Sequence, residues 1–110
     1  MKIYCISILE QYYIKGDNFF STDLYTNSVT DSKFYLKKKS AIKAAKSIFE
    51  ELSEKEEYQQ KYSEFIQNED KGQFSLKTIG GNFLAVHVNE LKTDMFIEYL
   101  EKNHKHVTIS

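Results

Sequence analysis

The chain has 110 residues, 41% hydrophobic and 28% charged, with no Pro, no Trp and a net charge of −1. That length suits one globular domain spanning residues 1–110, with a sizeable core and no need of staples. All fifteen basic residues are lysine and Cys5 is the only cysteine; the first argues against base-specific DNA reading, which favours the guanidinium fork, and the second excludes an intramolecular disulfide.

Residues 2–9 are apolar on both alternating faces, with Ile3, Cys5 and Leu9 on one and Tyr4, Ile6 and Ile8 on the other. A strand apolar on both sides belongs in the interior of a sheet, and Cys5 within it reads as a buried, inert thiol. The opening stretch "MKIYCISILEQYY" is too short for a membrane span and has no small-residue cleavage site, so it reads as a strand and not a signal peptide. A cytoplasmic protein with no membrane association is expected. "KGDN" offers a turn, and residues 19–26 would return antiparallel as the second strand of a long hairpin. "SVTDS" reads as a loop, and residues 33–36 as a short strand or extended lead-in.

Ser40 is the expected cap of a helix whose seam is Ile42, Ala45, Phe49 and Leu52, widened by Ala41, Ala44 and Ile48. Ser53 followed by Glu56 has capping-box spacing, which predicts a second helix over about 54–67 with Tyr58, Tyr62, Phe65 and Ile66 on its apolar face. One kinked helix is the alternative. Residues 74–88 predict a hairpin around Gly80-Gly81. Of two registers, the one with a three-residue loop at Gly80-Gly81-Asn82 gathers Phe74 and Leu76 with Leu84, Val86 and Val88, and leaves Ser75, Lys77 and His87 on the other face. Thr93 would cap a last helix ending near Asn103, and "HVTIS" would form a final strand or a tail. The resulting order, β-β-α-α-β-β-α-β, predicts an α+β domain: a mostly antiparallel sheet of about four to six strands with helices on one face.

Charge is unevenly distributed. Residues 33–46 hold six lysines and no acid, whereas residues 50–70 hold eight acids and two lysines. The first helix is therefore basic at its start and acidic at its end, against its macrodipole, and each misplaced charge costs about 0.3–1 kcal/mol at low salt. Lys37, Lys38, Lys39 and Lys43 form a candidate anion- or nucleic-acid-binding cluster, since a helix start supplies N–H donors to a phosphate. It has no Gly-rich phosphate loop. Glu50, Glu54, Glu56, Glu57 and Glu64 are the candidate protein-binding residues.

No catalytic, cofactor or metal site is expected. No nucleophile elbow is present, neighbouring acids on a helix point apart, and His87, His104 and His106 lack metal-ligand spacing. Tyr12, Tyr13 and Tyr25 fall toward the ends of the first hairpin, where some reach solvent and suit a contact surface. In size, absence of Pro and Arg, and acidic central segment, the chain resembles small accessory proteins of low-GC bacteria, their phages and mobile elements. Some of those are inhibitors that present acidic surfaces to nucleic-acid channels. The leading reading is a non-enzymatic regulatory module that binds another protein through an acidic helical surface or an exposed hairpin edge, with a homodimer compatible. The alternative is a weak phosphate or nucleic-acid binder using the lysine cluster. A small metal-dependent or hydrolytic enzyme ranks third.

Overall fold

The computed structural model describes residues 2–15, 22–91 and 108–109. Strands β1 (Ile3–Lys15) and β2 (Thr22–Tyr35) are followed by helix α1 (Lys38–Ser53) and one 3-10 turn (Glu56–Tyr58). Strands β3 (Tyr62–Asn68), β4 (Gln73–Thr78), β5 (Phe83–Leu91) and the short β6 (Thr108–Ile109) complete the described elements. The six strands form one sheet in the order β3-β4-β5-β1-β2-β6. Every neighbouring pair is antiparallel except β2 with β6. The α+β class and the mostly antiparallel sheet are as expected. No helix among the described residues is long and apolar enough to cross a membrane.

β1 is interior, flanked by β5 and β2, and its two apolar faces serve two clusters. Tyr4 and Ile6 join Phe74, Leu76, Leu84 and Val86 beneath α1, which contributes Ala41, Ala45 and Phe49. Ile3 and Cys5 meet Phe34 and Leu91 on the opposite face. The helical seam explains why residues 38–53 form α1: the fully buried positions recur every four residues, and Ile42, Ala44, Ile48 and Leu52 pack beside them.

Four expectations are corrected. The predicted second helix over 54–67 is a 3-10 turn followed by strand β3, so the described residues hold one α-helix where two were expected. Ser53 does not cap a new helix; its hydroxyl donates back to the Glu50 carbonyl at 2.8 Å, and α1 ends there. Ser40 is not the cap of α1 either. Lys37 occupies that position with extended backbone and no side-chain cap bond, and the Ala41 N–H donates to its carbonyl. Packing of the apolar seam sets where the helix starts, overriding the local cap signal. The "SVTDS" loop is instead part of β2: Ser28, Val29 and Thr30 pair in register with Leu9, Ile8 and Ser7, and the register shifts only beyond them, before Phe34 pairs with Cys5.

The β4–β5 hairpin has the expected faces, with Phe74 opposite Val86 and Leu76 opposite Leu84. Its three-residue loop lies one position earlier than expected. The Thr78 N–H donates to the Asn82 carbonyl at 2.8 Å, leaving Ile79, Gly80 and Gly81 as the loop, with Gly81 at φ +91. Asn82 is recruited into the framework instead. It is buried, its backbone N–H donates to Thr78 Oγ1, its Oδ1 accepts from the Tyr13 N–H, and its Nδ2 donates to the Glu57 carbonyl. The predicted helix over 93–103 lies outside the described residues.

Candidate functional site

Glu10 lies on the α1 side of β1 and is 4% exposed, the one charged residue buried among those described. Lys55 follows the end of α1 and reaches over it, placing Nζ at 2.9 and 3.2 Å from the two carboxylate oxygens. The Tyr58 hydroxyl donates to Oε1 at 3.1 Å. These bonds fasten the 3-10 turn to the sheet, and Asn82 holds the same turn from the hairpin side. The hydrogen bond to Glu10 raises the Lys55 pKa. Burial, reinforced by the nearby Glu10 charge, pushes the Tyr58 phenol far above its ordinary range. At neutral pH an ammonium and a neutral phenol are thus both held on Glu10, an arrangement that ties the turn to the sheet.

This junction supports a projecting hairpin end. β5 runs beside β1 only as far as the Gln11–Phe83 pair, while β1 and β2 remain paired through Tyr12–Tyr25, Tyr13–Leu24 and Ile14–Asp23. The Tyr12 ring lies 4.7 Å from the Tyr25 ring, tilted by 32°, and meets Tyr58 edge-on at 6.0 Å, which joins the arm to the buried junction. Burial raises the Tyr12 pKa. Tyr13 is 51% exposed, and Ile14, Leu24, Tyr25 and Val29 are also exposed. The tyrosines expected near solvent are there, Tyr12 excepted, since its ring is half-buried between its two neighbours.

The five glutamates proposed from sequence do not form one helical face. Glu50 is on α1, Glu54 at its C-terminal cap, Glu56 and Glu57 in the 3-10 turn, and Glu64 on β3 opposite Lys77. Within α1, the 3.6-residue period aligns Lys43, Ser47, Glu50 and Glu54 along the exposed side. Lys37, Lys38, Lys39 and Lys43 are all exposed. The acidic end of the central segment folds back against them: Glu69 and Asp70 share a shallow hollow with Lys38, Lys39 and Ile42, and Glu69 pairs with Lys46. The charge separation along the sequence is therefore partly cancelled in space.

Cys5 is buried, and burial raises its pKa, as suits an inert thiol. His87 is half-buried on the face away from α1, beside Ser7 and Ala85. Among the described residues no three His, Cys, Asp or Glu side chains converge as metal ligands; His104 and His106 lie outside them. Comparison with protein-family models, curated proteins and solved structures returned no match.

Proposed function

We propose that this chain is a non-enzymatic protein-binding module whose contact surface is the projecting end of the β1–β2 hairpin. The observation that carries this reading is the set of exposed large apolar side chains at that end, Tyr13 and Leu24 on one face and Ile14 and Tyr25 on the other. Scattered exposed apolar residues need no explanation, but four on the two faces of one projecting arm, held from beneath, support an interaction site. Tyrosine suits the role, because it offers a large rigid surface at low entropic cost and keeps a polar tip for the rim. The cross-strand Tyr12–Tyr25 ring contact and the Glu10–Lys55–Tyr58 junction hold the base of the arm, which reduces the ordering cost of binding.

The glutamates from 50 to 64 are better read as a polar surround than as the contact surface, since they are spread over three elements. Anion or nucleic-acid binding through Lys37, Lys38, Lys39 and Lys43 is the weaker reading, because Glu69 and Asp70 stand beside two of those lysines.

The test is site-specific photocrosslinking in a lysate of the source cells, with the probe placed in turn at Leu24, Tyr25 and, as control, Ser47. A discrete adduct from the two arm positions, lost in Tyr13→Lys and absent from the control, is expected. Crosslinks that are equal at all three positions, or none at all, would refute the reading. Titration of duplex DNA onto the same protein completes the test. Tight binding that weakens with a log–log salt slope near −3, the value for about three or four neutralised phosphates, and that is lost when Lys37, Lys38 and Lys39 become Gln, would favour the lysine cluster instead.

A further inference from the structure

The sheet has a second place where it can take a partner, independent of the hairpin arm. β3 is its outermost strand, with no described strand beyond it, and Phe65 and Ile66 are 49% and 41% exposed on opposite faces. The direction of its backbone groups follows from the neighbouring ladder. The Thr78 N–H donates to the Asn82 carbonyl and the Val88 N–H to the Gly72 carbonyl. Alternation in an antiparallel pair then turns Phe74, Leu76 and Thr78 toward β5, and Gln73, Ser75 and Lys77 toward β3. Their partners Asn68, Ile66 and Glu64 face β4, so the N–H and C=O of Phe65 and Gln67 point to the open edge.

Sheet edges are ordinarily guarded by Lys, Pro or a bulge. β3 has no Lys and no Pro, and its irregularity lies between Tyr62 and Glu64. The half from Phe65 to Asn68 is unguarded. Its single charge, Glu64, already sits across from Lys77 of the same chain, so the edge gives no particular attraction to a strongly charged partner.

We propose that β3 is a homodimer seam, in which two copies pair antiparallel about a two-fold axis at Ile66. In that register Phe65 of each copy exchanges both backbone hydrogen bonds with Gln67 of the other, four bonds in all. Ile66 meets its own counterpart on one face, Glu64 lies opposite Asn68 of the second copy, and no like charges are opposed. Other registers fit less well. An axis at Phe65 sets Gln67 against Ser63, which lies in the irregularity with its hydroxyl on the Lys77 and Thr78 carbonyls. An axis at Gln67 sets Phe65 against Glu69, which is in the turn and paired with Lys46. On the helix side there is room, because α1 packs mainly on β5 and β1 and leaves Phe65 half uncovered, touching Phe49 at 5.8 Å.

The test is light scattering after size exclusion, over a concentration series into the hundreds of micromolar, on the full chain. The parent should move from 12.9 kDa toward twice that mass. Gln67→Pro removes an N–H aimed at the open edge and no bond to β4, so it should leave the fold intact and weaken association by about tenfold or more. Ile66→Lys places two cations on the axis and should do the same, which keeps the test decisive if the proline change unfolds the chain. Val29→Lys, on β2, should leave the dimer unchanged. A parent that stays monomeric throughout, a dimer that survives both β3 changes with circular dichroism unaltered, or one abolished by Val29→Lys would overturn the proposal. None of these outcomes bears on the photocrosslinks of the hairpin arm.

Discussion

Glu10 is held by one partner that can reach water and one that cannot: the Lys55 side chain is 40% exposed, whereas Tyr58 is fully buried. The two halves of the ion pair should therefore respond unequally to removal. Lys55→Met strands a carboxylate beneath α1 and should cost about 3 kcal/mol, near the lower end for a broken buried pair because Lys55 is partly solvated. Glu10→Gln keeps an acceptor for Tyr58 and lets Lys55 turn to solvent, and should cost about 1 kcal/mol. Urea titrations at pH 7 should show Lys55→Met losing more stability than Glu10→Gln; equal losses would exclude this account. Lys55 and Tyr58 both have raised pKa values in the fold, so their contribution is complete below the unfolded values of about 10 and is lost as pH rises past them. The urea midpoint should hold steady to about pH 9 and fall above about pH 10, and Tyr58→Phe should fall less steeply than the parent.

At the scale of elements, the two hairpin turns around β4 place different demands on their glycines. Gly72 has φ +63, and a β-carbon there would lie 2.8 Å from Val88 Cβ and Cγ2, which cannot give way without moving β5. At Gly80 the nearest atom is the end of the flexible Gln60 side chain. Gly72→Ala should therefore cost about 2 kcal/mol or more through overpacking and strain, and Gly80→Ala little, as read from denaturation midpoints. Equal costs would contradict the packing described. These elements differ in how far they could be read in advance. α1 was legible because its seam is buried, and so was the face pattern of β4 and β5, since a one-residue slip would have put Leu84 and Val86 on the wrong side. β3 was not: every residue from Tyr62 to Gln67 is exposed, so no buried face imposed a two-residue period, and the spacing of Tyr58, Tyr62, Phe65 and Ile66 imitated a helix. The Glu10 junction was hidden for another reason. Its partners lie 45 and 48 residues along the chain, and local pattern does not register pairings of that range.

For the whole molecule, the fold softens the charge asymmetry that the sequence suggests, because Glu69 and Asp70 return to the start of the lysine-rich helix. The exposure of Tyr13 and Tyr25 was legible from their place near a hairpin end, whereas the outermost place of β3 among the described strands emerged only with the strand order. The interior position of β1 has a consequence for how the chain is made. β1 leaves the ribosome well before β5, yet its Ile3–Gln11 stretch is completed on one side by residues 83–91. Until those are synthesised, β1 and β2 form a nascent hairpin with Ile6 and Ile8 uncovered, a species prone to associate with other chains or with chaperones. Closing a pairing of that span is also entropically slow, so refolding should fall in the millisecond-to-second regime of non-local β topologies, not the microseconds of helical bundles. A chain ended at Thr78, which retains β1 to β4 but lacks β5, should be recovered aggregated or bound to chaperone, and a cooperative unfolding transition in that fragment would disprove the assembly order.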